Sequence, residues 1–142
     1  MNLAAVVPCY NDEAVLQALF ERLRSVFSGQ DWDYEIILVD DGSSDNTWRI
    51  IRELGATHDR LIGIRLSRNH GHQLALAAGM AQATGDRILM IDSDLQDPPE
   101  LVPEMMKLMD HGADVVYGQR RSRQGVPHWK KFAYRIFYKL LS

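Results

Sequence analysis

Cysteine is almost absent, with Cys9 the only one in 142 residues. A lone cysteine excludes an internal disulfide and a cysteine-based zinc site, and it fits a reducing compartment. No apolar run approaches the ~20 residues that a membrane-spanning helix needs. The opening Met1-Asn2-Leu3 lacks the basic stretch of a secretory leader, so no signal peptide is expected. Also missing are a Gly-x-x-x-x-Gly-Lys phosphate loop and a Gly-x-Gly-x-x-Gly after the first apolar run. Their absence removes support from ATPase and dinucleotide-oxidoreductase readings. With 46% hydrophobic and 25% charged residues, five prolines and ten glycines, collagen-like, low-complexity and disordered classes are excluded. At this length one domain is expected.

The net charge of −3 conceals a lack of acid at one end. Residues 1–114 hold all 19 acids against nine of the 16 Lys and Arg, a net of −10; residues 115–142 hold the other seven bases and no acid. Such a split predicts one part that handles cations and another that meets anions or a charged surface. Nucleic acid is a poor partner, because the larger, acidic part would repel it.

What is present alternates. Asn2 to Val7 is an apolar run stopped by Pro8 and reads as a strand, as do Tyr34 to Val39, Leu61 to Leu66, Arg87 to Ile91 and Ala113 to Tyr117. Between them, Val15, Leu16, Leu19, Phe20, Leu23 and Phe27 recur at helical spacing from Asp12, with Asn11 as expected N-cap. Trp48, Ile51 and Leu54 mark a second helix, and Gly71 to Ala83 a third. A fourth starts with proline in its first turn at Asp97-Pro98-Pro99-Glu100 and is stopped by Gly112. Trp129 to Leu141 reads as the last. Alternation of this kind predicts an α/β fold, a mostly parallel sheet with helices on both faces.

In open α/β sheets, ligands sit beyond the carboxyl ends of the strands. Pro8-Cys9-Tyr10-Asn11, Asp40-Asp41 and Asp92-Ser93-Asp94 all fall on such ends, so they converge on one edge. Asp92 and Asp94 are two residues apart and can point the same way; adjacent carboxylates repel unless a cation joins them, and hard oxygens suit Mg²⁺ or Mn²⁺. Gln96 adds a neutral oxygen. The same residues also fit a plain strand-to-helix turn with solvated acids and Asp97 as a cap. Asp40-Asp41-Gly42-Ser43 fits either a base or ribose contact or ordinary turn chemistry. His70 and His72 read as residues lining a helix start rather than a metal pair, and Cys9 as a small packed residue rather than a nucleophile.

The basic end carries Arg120, Arg121, Arg123, Lys130, Lys131, Arg135 and Lys139. In its helix Phe132, Ile136, Phe137, Leu140 and Leu141 make an apolar stripe, with Lys131, Arg135 and Lys139 on another face. A basic amphipathic helix of this kind fits an anionic membrane surface, and equally an ordinary helix docked on a core.

Val6-Val7-Pro8-Cys9-Tyr10-Asn11-Asp12-Glu13 and Val39-Asp40-Asp41-Gly42-Ser43-Ser44-Asp45 resemble the opening of the inverting family-two glycosyltransferases. Arg68-Asn69-His70-Gly71-His72-Gln73 and Met90-Ile91-Asp92-Ser93-Asp94-Leu95-Gln96-Asp97-Pro98-Pro99-Glu100 narrow the resemblance to the polyprenyl-phosphate glycosyltransferases. That group includes dolichol-phosphate mannose synthase and bactoprenol glucosyltransferase. The resemblance runs over essentially the whole chain; Asp12 departs from it, standing where glutamate is usual.

The resemblance implies a GT-A, Rossmann-like fold that moves a sugar, with inversion, from a nucleotide sugar to a polyprenyl phosphate. UDP-sugar is favoured over GDP-sugar. It places Pro8, Tyr10, Asp12, Val39, Asp40, Asp41, Asp92 and Ser93 around the donor. Asp92, Asp94 and Gln96 would hold Mg²⁺ or Mn²⁺, Asp94 and Arg120 would carry catalysis, and Arg120 with Lys130 and Lys131 would meet the acceptor phosphate. Residues 1–118 would then be the nucleotide-sugar- and metal-binding core, and 119–142 a basic loop and amphipathic helix on the acceptor and membrane side. Relatives are longer, so the chain is expected to be truncated, a soluble piece of an enzyme at the cytoplasmic face of the membrane. An uncovered final helix predicts a homo-oligomer and reduced turnover. The competing readings are a transferase with a saccharide acceptor, and a nucleotide-sugar-binding module without catalysis. A receiver-like phosphorylation domain is disfavoured, because Pro8-Cys9-Tyr10 stands where its acidic pair belongs.

Overall fold

A computed structural model describes residues 2–119. Its elements are β1 (Asn2–Cys9), α1 (Leu16–Ser28), β2 (Asp33–Asp40), α2 (Thr47–Gly55), β3 (Leu61–Arg65), α3 (His72–Met80), β4 (Arg87–Met90), a 3₁₀ turn at Pro99–Leu101, and α4 (Val102–Asp110). The four strands form one sheet in the order β3-β2-β1-β4, every pair parallel. The chain divides into two compact units, Met1–Val102, which holds the sheet, and Pro103–Ser142. The α/β expectation holds.

β1 and β2 are the inner strands. Leu3 to Val7 and Ile37 to Val39 are fully excluded from solvent, which is why they read as continuous apolar runs with no alternation. Gly63 of β3 pairs with Leu38 and faces Ile51 of α2. Ile37 and Val39, one step along β2, pack with Val6 against Ala75 of α3. Side chains alternate between faces of a strand, so α2 and α3 cover opposite faces of the sheet. At Gly79, α3 comes so close that a Cβ would lie 2.4 Å from Val6 Cγ1. α1 buries the expected stripe of Leu16, Leu19, Phe20, Leu23 and Phe27, and the Phe27 ring meets Tyr34 edge-on at 5.4 Å.

Several boundaries differ from expectation. Pro8 does not stop β1, which continues to Cys9 with Pro8 paired to Val39. The Val6 carbonyl accepts from Ile91 while the Cys9 carbonyl accepts from Asp41. Pro8, two residues from Val6, therefore turns the side that lacks an N–H toward β4, whose ladder ends at the Val6–Met90 pair. No ladder hydrogen bond is lost. Asn11 is not the N-cap of α1, which starts at Leu16 after a turn closed by the Asp12 carbonyl. Asn11 takes a left-handed φ of 56° and turns its side chain to Ser44 instead. Residues 113–117 do not form the expected fifth strand; they are irregular, with Val115 and Tyr117 each 79% exposed. An apolar run makes a strand only when a neighbouring strand pairs with it, and among the described residues none does; Ala113 N–H donates to the Leu108 carbonyl instead. The fourth helix does open through proline, and it ends at Asp110, two residues before Gly112, whose φ is 97°. The last expected helix, Trp129 to Leu141, lies outside the described residues.

Candidate functional site

The parallel sheet sends the carboxyl ends of β1, β2 and β3 into loops on one side, with the start of α3 beside them. A cleft of about 270 Å³ opens there, lined by Pro8 and Cys9 at the end of β1, Tyr10 and Asp12 just after it, Asp41 after β2, and Ser93 after β4. Asn69, Gly71, His72 and Ala75 complete it. The convergence expected of the polar clusters is therefore realised, and the loop after β3 joins it.

The loops are bonded to one another before any ligand is considered. Asn11 N–H donates to Ser43 Oγ at 2.9 Å, and Asn11 Oδ1 accepts from Ser44 N at 2.9 Å. Asp12 N–H donates to Thr47 Oγ1 at 2.8 Å, and Glu13 N–H to Asp45 Oδ2 at 3.1 Å. Desolvation opposes ionisation of Asp45, but hydrogen bonds from the Thr47 side chain and backbone and from Glu13 N–H outweigh it and hold the carboxyl below its ordinary range. The Asp12 carboxylate reaches further: its Oδ2 accepts from Tyr10 N–H at 2.8 Å and from Ser93 Oγ at 2.7 Å, joining the loops after β1 and β4.

Asp41 does the same for the loop after β3. It is 3% exposed, and its two oxygens accept from His70 N–H at 2.7 Å and Gly71 N–H at 2.9 Å. Asp40 is wholly buried and outside the cleft lining. Its Oδ1 accepts from Ser43 N–H, while Oδ2 has no hydrogen bond and faces Arg65 Nε at 3.4 Å. Val39 also stands apart, its side chain in the core under α3. Of the residues expected around the donor, Pro8, Tyr10, Asp12, Asp41 and Ser93 line the cleft; Val39, Asp40 and Asp92 do not.

Asp92 and Asp94 flank the buried Ser93 and are themselves exposed. Asp92 Oδ1 lies 3.6 Å from Nε2 of His72 on the cleft wall. Asp94 Oδ1 accepts from Gln96 N–H at 2.9 Å across Leu95, which takes a left-handed φ of 60°. Among the described residues no three His, Cys, Asp or Glu side chains form a cluster able to hold a metal. The donor set nevertheless fits a hard divalent cation, since Mg²⁺ is commonly held by one or two carboxylates together with phosphate oxygens of the substrate. Further along the loop, Glu100 makes a bidentate pair with Arg22 of α1 at 2.7 and 3.1 Å. The hydrogen bond from Arg22 lowers the Glu100 pKa.

Cys9 borders the cleft but is inert. Burial, followed by the neighbouring Asp12 and Asp40 carboxylates, pushes its thiol well above the ordinary range. A nucleophilic role needs the thiolate. Sequence reasoning passed over Asn69, Gly71 and Ala75, and it read His72 only as lining a helix start. The signal that finds them is the same carboxyl-end rule, applied to the polar segment after β3. Arg120, Lys130 and Lys131 lie outside the described residues. Among the described residues no helix is long and apolar enough to cross a membrane.

Residues 4–141 match the sequence profile of glycosyl transferase family 2, and the chain belongs to that family. It is 44% identical over 142 residues to the uncharacterized glycosyltransferase YkcC of Bacillus subtilis, covering all of this chain and 44% of the relative. It is 41% identical to the undecaprenyl-phosphate 4-deoxy-4-formamido-L-arabinose transferase of Aeromonas hydrophila, covering 86% of this chain and 38% of that one. Among solved structures, S. aureus TarS 1–349 in complex with UDP superposes with a TM-score of 0.66 at 26% identity, covering 89% of this chain and 38% of that chain. The chain thus spans less than half the length of these relatives. The GT-A fold expected from the sequence is the fold observed.

Proposed function

We propose that the protein transfers a sugar, with inversion, from a nucleotide sugar to a polyprenyl phosphate at the cytoplasmic face of a membrane. UDP-sugar is the favoured donor, and Mg²⁺ or Mn²⁺ the cofactor. The observation that carries this reading is one cleft at the carboxyl ends of the strands, lined by Asp12, Asp41 and Ser93, with the exposed Asp92 and Asp94 beside it. The naming of the A. hydrophila relative supports the acceptor class, and the UDP complex of TarS supports the nucleotide.

In this reading Pro8 and Tyr10 wall the nucleoside end of the donor, and the Asp41-braced loop holds Asn69 and His72 across from them. Asp92 and Asp94 would hold the metal, with Gln96 adding an oxygen. A bound divalent cation supplies charge stabilisation for the nucleoside diphosphate as it leaves. The attacking oxygen belongs to a phosphate that is already anionic, so a strong general base is less needed than for a hydroxyl. Bringing two anions together is the harder task; Arg120, Lys130 and Lys131 are proposed to face the acceptor phosphate and screen the repulsion. In-line attack then inverts the anomeric centre.

The test is a thermal-shift and calorimetric comparison of UDP and GDP with and without Mn²⁺, followed by transfer to undecaprenyl phosphate against a saccharide acceptor. Mn²⁺-dependent UDP binding with transfer to the lipid phosphate supports the reading. Transfer to the saccharide alone replaces the acceptor, and metal-dependent binding with no transfer to either favours the binding module.

A further inference from the structure

We propose that Ser93 is the positioning residue of the acidic loop, fixing Asp92 and Asp94 through its hydrogen bond to Asp12. This rests on the proposal that those two acids hold a divalent cation on a nucleoside diphosphate. Ser93 is only 9% exposed, whereas both its neighbours are exposed. A buried residue between two outward-facing acids sets where both project from.

The anchor itself is well founded. Ser93 Oγ donates to Asp12 Oδ2 at 2.7 Å, a good length for a hydroxyl hydrogen bond. Asp12 is held in turn by its N–H on Thr47 Oγ1 at 2.8 Å, and Thr47 is fully buried. The Tyr10 N–H on Asp12 Oδ2 at 2.8 Å fixes the carboxylate's orientation. A continuous path therefore runs from the start of α2, through Asp12, to the residue between the two acids.

The physics gives this path a purpose. Asp92 and Asp94 are like charges two residues apart in the chain, and without a cation repulsion favours their separation. The local bond from Gln96 N–H to Asp94 lies within the loop itself, so it moves with the loop. The Ser93–Asp12 bond ties the loop to the one after β1 and opposes the separation. Ser93 lines the cleft, but its hydroxyl is engaged by Asp12, so its proposed role is to place its neighbours. Its hydroxyl, expected on the donor, is directed to Asp12.

The experiment titrates the protein with Mn²⁺ in the presence of UDP, following free Mn²⁺ by its paramagnetic resonance. Ser93→Ala is expected to weaken Mn²⁺ binding about tenfold, the scale typical of losing a partner just behind a metal ligand. Ser93→Thr keeps the hydroxyl and is expected to restore binding close to wild type, a rescue that a role in folding alone does not require. In an Asp12→Ala background, Ser93→Ala is expected to add little, because its partner is already gone. Should the alanine variant fail to melt cooperatively, Ser93→Cys, near-isosteric with a weaker donor, makes the same comparison. Mn²⁺ affinity unchanged in Ser93→Ala, no rescue by threonine, or full additivity with Asp12→Ala each overturn the proposal while leaving the metal reading intact. A wild-type protein whose UDP binding ignores Mn²⁺ overturns both.

Discussion

Glu13 Oε2 accepts both the backbone N–H of Asn46, at 2.9 Å, and its side-chain amide, at 2.8 Å. Asn46 precedes α2 and makes no side-chain cap of its own, so a residue from the loop after β1 caps the helix after β2. Orphan N–H groups at a helix start need such partners. Glu13→Ala is expected to lower stability by about 1 kcal/mol, the usual effect of removing a cap. Glu13→Gln, which keeps an oxygen, is expected to lose less. Urea midpoints at equal m-values check both.

Asp41 bears a heavier burden. Its two oxygens take the N–H groups of His70 and Gly71 from a nearly buried position. Asp41→Ala takes the partner from His70 N–H, while Gly71 N–H keeps Asn69 Oδ1 at 3.0 Å, and a loss of roughly 1–3 kcal/mol is expected. Asp41→Asn keeps one acceptor and is expected to fall between. Because Asn69, Gly71 and His72 line the cleft, the alanine variant is also expected to bind UDP more weakly. Unchanged UDP affinity in a folded variant would separate this brace from the donor site.

Two glycines separate space from backbone conformation. Gly79 has no positive φ, but a Cβ there meets Val6 Cγ1 at 2.4 Å and Val39 Cγ2 at 3.0 Å. Gly71 has open space around a Cβ but a φ of 93°. Gly79→Ala is expected to cost 1–3 kcal/mol (about the range for overpacking a core), recovered in part by Val6→Ala. Gly71→Ala is expected to cost about 1 kcal/mol through strain, and Val6→Ala cannot relieve it. Thermal denaturation of the two double variants distinguishes the causes.

These contrasts show what was legible in the sequence. The inner strands read plainly because Leu3 to Val7 and Ile36 to Val39 are covered on both faces, and burial on two faces leaves an unbroken apolar run. The carboxyl-end rule then located the cleft from Pro8, Asp41 and Ser93. What escaped was the division of labour among polar residues. Asn11, Glu13, Ser43, Ser44 and Asp45 look like turn or ligand residues, yet they bond each other across 32 or 33 positions of chain. Periodicity carries no information about such pairs. Val39 and Asp40, expected at the donor, lie in the last two positions of β2, two residues and one residue before Asp41, and that short distance decides between core and cleft. Pro8 misled in the other direction, because its effect depends on which side β4 ends.

Cys9 makes stability depend on alkaline pH. Its folded pKa lies well above the ordinary 9.0, through burial and then the Asp12 and Asp40 charges. The folded state thus holds a proton that the unfolded state releases. The sign follows: the contribution is intact below the unfolded pKa and is lost as pH rises past it, with a limiting slope of about 1.4 kcal/mol per pH unit. Cys9→Ala removes this dependence. Denaturation at pH 8 and pH 10 is expected to show a smaller loss for the variant than for wild type, and equal losses count against a neutral buried thiol.

Asp94 presents the opposite case, an acid whose removal is expected to cost binding but not stability. It is exposed, and among the described residues its Oδ1 accepts a local N–H, from Gln96. Removing one of two adjacent like charges relieves repulsion, so the melting temperature of Asp94→Ala without ligand is expected to match or slightly exceed wild type. The Mn²⁺-dependent part of UDP binding should vanish in the same variant, because a hard cation shared with a diphosphate needs anionic oxygen from the protein. Asp94→Asn, which keeps the shape and loses the charge, should behave like alanine. Chelation of wild type should reproduce the loss of binding. Calorimetry of UDP with and without Mn²⁺ reads the difference directly, and an equal metal-dependent gain in Asp94→Ala would falsify the assigned role.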